Sequence, residues 1–268
     1  MSHTLRKENA MSQRVIQGTP KLAEAIRNRR KELGLTIEEA ASRAGVGIKT
    51  WCRYEAGESI RQDKAKGIYK ALNWHTLPGG SDEEDVAFDF DEYKHHEAWS
   101  NYIRDCFGEA AAISFVIGSD ILLDYVREDL EELSAMPVGT HVGQLPVSMT
   151  KDILPEQFLM RYDYEFLYCL KTTVIKLRST AHYNKHFLAH SVMEELAIYL
   201  FSKTAEFLME CMAPEMESCG ITGLDTWEHW MFDLFDDMDV VTYLYSGDCL
   251  SQNHSYHFDH WKEEQFQI

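Results

Sequence analysis

The chain has 268 residues, a formal net charge of -18 and a sequence pI of about 5.0, an acidic balance that argues against nucleic-acid binding when taken over the whole chain. No run of 18 apolar residues offers a membrane span, and the N-terminal segment lacks the apolar stretch of a secretory signal. We therefore expect a protein without membrane contact.

The charge is distributed unevenly along the chain. Residues 1–75 hold 15 Lys and Arg against 8 Asp and Glu, whereas residues 76–268 hold 11 against 36. Because charges act on a docking partner only within a Debye length of about 10 Å, the local positive field of the first segment matters more than the total. The acidic remainder repels a phosphate backbone, so we expect it to be held away from any DNA.

Composition divides the chain into four segments. Residues 1–19 predict a disordered basic arm, and residues 20–75 predict a small helical domain. Residues 76–92 begin with Pro and Gly breaks and end with seven carboxylates in twelve residues, which predicts an acidic linker. Residues 93–268 are long enough to bury a core of their own.

In the small domain, the first helical pattern runs over residues 22–33 and stops at Gly34. Thr36 and Glu39 have the spacing of a capping box, in which the threonine hydroxyl accepts a bond from the helix and the glutamate bonds back to the cap. A second helix is therefore predicted to begin at Ile37.

Gly45 supplies the permissive backbone that a sharp turn needs after this second helix. A third helix is predicted over residues 47–54, Gly57 ends it, and residues 64–72 form another amphipathic helix. The inward residues of the third helix are Trp51 and Tyr54. Its outward residues, at helical spacing, are Lys49, Thr50 and Arg53. Such an outward face suits phosphates and base edges.

The segment from 36 to 57, TIEEAASRAGVGIKTWCRYEAG, resembles the helix-turn-helix domain of the XRE, or lambda-repressor-like, family of transcriptional regulators. The likeness runs from about Lys21 to Trp74, about a fifth of the chain, and includes RNRRKELGLT, GVGIKTW and RYEAG. The resemblance implies a helical domain whose second motif helix enters the DNA major groove.

Mapped residue by residue, the resemblance implies DNA contacts at the second motif helix and its flanks. The implied residues are Arg30, Gly47, Ile48, Lys49, Thr50, Arg53 and Ala56. Arg30 and Glu55 also match a buried pair common in the family, which would hold the arginine where a phosphate passes. Three positions depart from the family pattern: Ile37 replaces a frequent Gln, Ile48 a polar residue and Ala56 an Asn. A contact by Ile48 would be apolar, against a thymine methyl.

Apolar residues recur with helical spacing through most of the last segment, which we interpret as an α-helical bundle. The predicted helices lie in residues 99–107, 110–133, 155–177, 187–212 and 224–245. Residues 136–150 have no helical period and predict a loop or a short hairpin. The fold class expected for the chain is therefore all-α, with a lambda-repressor-like helix-turn-helix domain followed by a larger α-helical bundle.

Histidines provide the candidate metal site of the sequence. A row at i, i+4 and i+8, where imidazoles one turn apart can share a cation, consists of His182, His186 and His190. A second group, equally well explained by aromatic packing, consists of His254, His257 and His260. Structural or solvated histidines are the commoner outcome, so we predict no metal and no other cofactor.

Catalytic signatures are missing from the sequence, which has no Gly-rich phosphate loop, nucleophile elbow or recognisable carboxylate pair. We therefore predict that the protein is not an enzyme. The six cysteines include no CxxC pair, and we expect isolated buried thiols in a reducing cytoplasm.

These observations predict a cytoplasmic regulator that binds double-stranded DNA in a sequence-specific way, as a homodimer that represses transcription. A two-fold pair of such domains contacts half-sites one helical turn apart, which increases both affinity and discrimination. A small molecule or a protein that binds the C-terminal domain as an effector is compatible with this prediction. One alternative is an antitoxin-like regulator whose C-terminal domain binds a partner protein. A second alternative is a metal-responsive regulator that uses the histidine row.

Overall fold

A computed structural model describes residues 15–16, 18–72, 74, 90–146, 148–187, 191–234, 253 and 257–261. Within these ranges the chain is all-α in class, as predicted, with one pair of two-residue strands. It divides into two units, unit 1 of residues 1–87 and unit 2 of residues 88–268. No helix in the described ranges combines the length and the apolar character needed to cross a membrane.

Unit 1 contains β1 (Val15–Ile16), α1 (Pro20–Glu32), α2 (Ile37–Arg43), α3 (Ile48–Glu55), β2 (Ile60–Arg61) and α4 (Gln62–Ala71). Thr19 caps α1 by accepting a hydrogen bond from the Leu22 N–H. Thr36 and Glu39 form a capping box, so the predicted start of α2 at Ile37 is confirmed. The starts of α1 and α2 are thus fixed by cap residues within one turn of each helix.

The two strands lie where the sequence predicted no regular structure. β1 and β2 pair antiparallel, with Ile16 opposite Ile60. Ile60 is fully buried, and Ile16 packs against the same core. The prediction of a disordered arm over residues 1–19 is therefore wrong for the described residues Val15 and Ile16, because a long-range strand pairing orders them. Gly18 permits this approach, since a Cβ there would overlap the backbone of Gly57.

The core of unit 1 draws on all four helices. The side chains of Ile26, Trp51, Ile68 and Leu72 are fully buried within it. Burial of an aliphatic or aromatic side chain of this size contributes about 1.5–3 kcal/mol each. These contacts determine which face of α3 points inward.

Unit 2 contains α5 (Phe90–Lys94), α6 (Asn101–Phe107), α7 (Glu109–Ser134), α8 (Tyr164–His182), α9 (Val192–Ser218) and α10 (Trp230–Leu234). Short 3-10 helices lie at Val142–Gln144, Glu156–Arg161 and Phe258–His260. α7 packs against α6, α8 and α9. Every residue from 110 to 123 is buried, as expected for a helix surrounded by others.

Several predicted boundaries in unit 2 were wrong. The pattern over residues 155–177 divides into a 3-10 helix and α8, because Asp163 caps α8 by accepting a hydrogen bond from the Phe166 N–H. α9 begins at Val192, after the cap residue Ser191, and continues to Ser218. The last helix was predicted over residues 224–245. Within its described part, residues 224–234, only α10 is helical, and residues 235–245 lie outside the described residues.

Two further expectations concern the segments between helices. Most of the predicted acidic linker, residues 76–89, lies outside the described residues. Its last three residues, 90–92, belong to α5, so the predicted boundary between linker and helical domain at residue 93 is too late. The described part of residues 136–150 is a loop with one 3-10 turn, and it contains no hairpin.

α7 and α9 approach closely at Gly118. A Cβ at this position would overlap the backbone of Phe201, so no larger residue fits without moving one helix. Thr204 Oγ1 donates a 3.0 Å hydrogen bond to the Gly118 carbonyl across the same contact. The glycine therefore sets the distance between the two longest helices of unit 2.

Hydrogen bonds from polar side chains, most of them buried, also join segments of unit 2. Arg178 on α8 donates from Nη1 to Asp120 and from Nη2 to Glu97, the latter over 2.6 Å. Asp129 on α7 accepts hydrogen bonds from the hydroxyls of Ser148 and Thr150. Burial raises the pKa of the Asp129 carboxyl above its ordinary value, although these two hydrogen bonds act in the opposite direction.

Candidate nucleic-acid interface

A short turn joins α2 to α3. Gly45 has a φ of +60°, a left-handed conformation that glycine adopts without strain. The Val46 N–H donates to the Ala41 carbonyl over 3.0 Å, and the Val46 side chain is buried in the core of unit 1. Two helices, a glycine turn and a buried hydrophobic residue after it make a helix-turn-helix arrangement.

The two sides of α3 differ in character. Its inner side is formed by the buried residues Trp51, Tyr54 and Glu55. The other side, together with the C-cap residue Ala56, forms what we name the α3 surface: Lys49, Thr50, Arg53 and Ala56. Arg53 and Ala56 are exposed, whereas Lys49 and Thr50 are half-buried. No described residue forms a hydrogen bond or ion pair with the Arg53 side chain, so its guanidinium is available to a ligand.

Glu55, the last residue of α3, is bound by three side chains. Arg30 on α1 donates from Nε to Oε1 over 2.5 Å and from Nη2 to Oε2 over 3.1 Å. Trp51 Nε1 donates to Oε1 over 2.7 Å. Arg27 Nη2 donates to the Glu55 backbone carbonyl over 2.8 Å, and Arg27 Nε lies 3.5 Å from Oε2. These bonds connect α3 to α1 at the end opposite the turn.

The surroundings of Glu55 favour its ionised form. Burial acts to raise the pKa of this carboxyl, but the hydrogen bonds from Arg30 and Trp51 and the charges of Arg30 and Arg27 hold it below its ordinary value. Glu55 is therefore an anion at neutral pH. Its charge balances the buried guanidinium of Arg30.

The structure separates the residues that the resemblance implied as DNA contacts into two groups. Arg30 is buried, and its three guanidinium nitrogens donate to Glu55 and to the Leu35 carbonyl. Gly47 is a buried N-cap, and Ile48 packs partly buried against the core of unit 1. In the α3 surface, Arg53 and Ala56 are exposed, and Lys49 and Thr50 are half-buried. Arg30 therefore positions α3. Its burial and its partners within unit 1 do not favour the phosphate contact that the resemblance implied.

Arg27 was missed in the sequence. It lies one turn before Arg30 on α1, so both side chains project from the same face toward the end of α3. The spacing of the two arginines in RNRR was the available signal. The resemblance implied Glu55 only as the partner of Arg30, so the additional contact of Arg27 with Glu55, 28 residues further along the chain, was not predicted.

The histidine row does not exist as one helical face. α8 ends at His182, and Asn184 beyond it has a φ of +50°, which terminates the helix. His186 follows in a loop, with its ring 4.6 Å from the ring of Tyr102, and His190 lies outside the described residues. Among the described residues, no three His, Cys, Asp or Glu side chains are placed to hold a metal ion.

Other predicted details of unit 2 also changed. His257 is buried and its ring lies 6.3 Å from that of His260, whereas His254 lies outside the described residues. Thiols were expected to be buried, but Cys52, Cys106 and Cys219 are exposed. A half-open cavity of about 340 Å³ has Phe166, Met193 and Trp261 among its lining residues, together with Arg161, Asp163, Glu165 and Asp259.

The resemblance to the XRE family rests on the motif alone. No protein-family model, curated protein or solved structure matches this chain. Membership of that family is therefore a proposal, and it rests on the motif and on the contacts within unit 1.

Proposed function

We propose that the protein is a DNA-binding regulator of transcription, similar to the XRE family, in which α3 enters the major groove of double-stranded DNA. The observation that carries this proposal is the two-sided character of α3. Buried Trp51, Tyr54 and Glu55 hold one side to unit 1, and the α3 surface offers Lys49, Thr50 and Arg53 on the other. A helix packed against a core on one side and partly exposed on the other suits insertion into a groove about 12 Å wide.

Arg53 is the residue best suited to contact base edges. Its planar guanidinium can donate two parallel hydrogen bonds to guanine O6 and N7, and it is exposed. Lys49 and Thr50 lie one turn closer to the start of α3, where a lysine and a hydroxyl can bond to phosphates or bases. Arg30 acts indirectly in this proposal, by fixing the position of α3 through Glu55.

The charge of the two segments supports the same orientation. Residues 1–75 carry a surplus of positive charge, 15 Lys and Arg against 8 Asp and Glu, which attracts the phosphate backbone. The strongly acidic residues 76–268 are repelled by it. Binding through unit 1 is therefore favoured over binding through unit 2.

We further propose that the protein acts as a homodimer that represses transcription by covering a promoter, in the cytoplasm where such a regulator meets the chromosome. One helix-turn-helix contacts only a few base pairs. Two copies on half-sites one helical turn apart multiply affinity and discrimination. Unit 2 is then the regulatory and pairing part of the chain.

The test begins with selection of bound fragments from a random DNA pool at a stated salt concentration. The affinity for the selected site is then measured by fluorescence anisotropy for the wild type, Arg53→Ala and Lys49→Ala. Lys31→Ala is the matched control, because it removes the same charge from an exposed position on α1.

We expect Arg53→Ala to weaken specific binding most, by roughly 5- to 150-fold, the equivalent of one base contact of about 1–3 kcal/mol. Lys49→Ala should come next, and Lys31→Ala should stay close to the wild type. If no sequence is enriched, or if both α3 variants bind as tightly as the wild type, the proposal is wrong.

A further inference from the structure

Unit 2 exposes an apolar stripe along α8. We define the α8 stripe as Tyr164, Tyr168, Lys171 and Ile175. Their spacing of i, i+4, i+7 and i+11 places them on one line of the helix surface. Tyr164, Tyr168 and Ile175 are 45%, 50% and 44% exposed. The opposite side of α8, which includes Phe166, Leu170, Val174 and Leu177, is buried in unit 2.

The stripe is organised within the chain. The rings of Tyr164 and Tyr168 stack with centroids 6.4 Å apart and an interplanar angle of 15°. Lys171 Nζ lies 5.8 Å from the centroid of the Tyr168 ring, within range of a cation–π contact. Because the two stacked rings and, two turns further along, Ile175 expose apolar area to water, covering this surface lowers the free energy of the protein.

We propose that the α8 stripe is the surface through which two copies of this chain pair, with the two α8 helices antiparallel. This inference depends on the proposed function only for the expectation that the protein is a dimer. A two-fold interface uses the same surface of both copies, so its residues must be complementary to themselves. The order of residues on α8 meets this condition in one orientation.

In the antiparallel orientation, two different contacts repeat by symmetry. Tyr164 of one copy packs on Ile175 of the other, and Tyr168 of one copy receives Lys171 of the other. Both pairs have the same midpoint along the helix, so they form together in a single register. A parallel pairing would instead bring Lys171 against Lys171, a repulsion between like charges in a closing interface.

The flank of the stripe has the same complementarity. α8 carries the exposed Glu165 near its start and the exposed Lys176 further along. Antiparallel pairing brings the start of each helix beside the later part of the other, where Glu165 can approach Lys176. Lys176 is also 2.5 Å from Glu194 of its own chain, so this contact adds mainly to specificity.

The test measures self-association of the full chain without DNA, by sedimentation across a concentration series. The informative variant is Tyr168→Glu combined with Ile175→Glu, which places charge on positions that are already about half exposed. Val138→Glu is the matched control, because it adds the same group to a fully exposed apolar residue outside the stripe. Circular dichroism establishes that each variant keeps its helical content.

We expect the wild type to be a dimer and Val138→Glu to match it. The double variant should raise the dimer Kd at least about 30-fold, the effect of losing central interface residues. A monomeric wild type, or a dimer that the double variant does not weaken, overturns the proposal.

Cross-linking tests the register. A chain with both Tyr164→Cys and Ile175→Cys should form a disulfide-linked dimer on mild oxidation, with position 164 joined to position 175. Within one chain these positions are separated by about 16 Å along the helix, too far for a disulfide. Mass spectrometry identifies the joined peptides and separates them from links through native cysteines. Links of 164 to 164 would contradict the antiparallel register.

The two proposals fail in different ways. If the protein is a monomer that still binds a selected DNA site, the proposal of an α8 interface is wrong and the proposal of DNA binding stands. If the wild type is a dimer that the double substitution dissociates, but neither protein binds DNA, the proposal of DNA binding is wrong and the proposal of the interface stands.

Discussion

Arg30 and Glu55 form a buried ion pair between α1 and the end of α3, with two hydrogen bonds of 2.5 and 3.1 Å. The same carboxylate accepts a 2.7 Å bond from Trp51 in the core of unit 1. One side chain therefore joins the helix that carries the α3 surface to the helix before the motif. The orientation of α3 depends on it.

Replacement of Glu55 should loosen α3. Glu55→Gln removes the negative charge but nearly preserves the shape, which leaves the buried guanidinium of Arg30 without its counter-ion. We expect unit 1 to lose about 2–4 kcal/mol of stability. Amide hydrogen exchange of α3 in the full-length protein measures the loss. The control is Glu58→Gln, the same change at an exposed position three residues later, and an equal effect there would contradict the assigned role.

The ion pair also predicts how acid acts on unit 1. The folded-state pKa of Glu55 lies below its ordinary value of 4.5, so its contribution to stability is complete above about 4.5 and is lost as the pH falls through the folded pKa. Between pH 7 and 5 the stability difference between wild type and Glu55→Gln should be constant. Below pH 4.5 it should shrink. A difference that grows on acidification would show that the sign is wrong.

Arg53 allows charge and geometry to be separated. Arg53→Lys keeps the positive charge on the α3 surface but loses the planar pair of donors. We expect roughly tenfold weaker binding to the selected DNA site, with the slope of log affinity against log salt nearly unchanged. Anisotropy titrations at several salt concentrations measure both quantities. If Arg53→Lys binds like the wild type, Arg53 contributes charge alone and does not contact base edges.

Gly118 should not tolerate a side chain. Gly118→Ala forces a Cβ into the backbone of Phe201, so α7 and α9 must move apart. We expect a loss of about 2–4 kcal/mol, at or above the usual range for overpacking, because the obstacle is backbone. Urea denaturation followed by circular dichroism measures it. Glu131→Ala, at an exposed position of α7, should leave stability within about 0.5 kcal/mol of the wild type.

The raised pKa of Asp129 predicts that its effect on the stability of unit 2 depends on pH in the opposite sense to that of Glu55 in unit 1. Its folded-state pKa is raised above the ordinary value of 3.8, so the stability associated with its neutral form is complete below that value and is lost as the pH rises through the folded pKa. Asp129→Asn avoids ionisation and keeps an oxygen for Ser148 and Thr150. At pH 7 it should gain stability on the order of 1 kcal/mol. Asp129→Ala should instead lose about 1–3 kcal/mol, because the hydroxyls lose their acceptor.

Local signals in the sequence predicted much of unit 1. The capping box of Thr36 and Glu39 predicted the start of α2, and the structure places both hydrogen bonds there. Gly45 predicted the turn, and its φ is positive. The pairing of β1 with β2 was not predicted, because the strands are two residues long and lie 44 residues apart in sequence. Such short segments carry no detectable period.

Unit 2 shows where sequence patterns are insufficient. The spacing of His182, His186 and His190 is helical, but α8 ends at His182, because spacing alone cannot reveal where the chain leaves the helix. The loop hydroxyls that bond to Asp129 and the close approach at Gly118 both depend on packing between distant segments. Nothing in the sequence near these residues specified their partners.

By itself, the sequence determined the helical class, the two segments of opposite charge and the helix starts and turn of the motif, because caps, glycines and apolar periods act over one or two turns of chain. The resemblance had already implied the pairing of Arg30 with Glu55, but only the tertiary structure decided that all three guanidinium nitrogens of Arg30 donate to Glu55 and the Leu35 carbonyl, while Arg53 remains exposed. Both are arginines in basic surroundings, and their burial is set by which helices pack together over separations of more than twenty residues. That packing gives one arginine a positioning role and leaves the other available to a ligand.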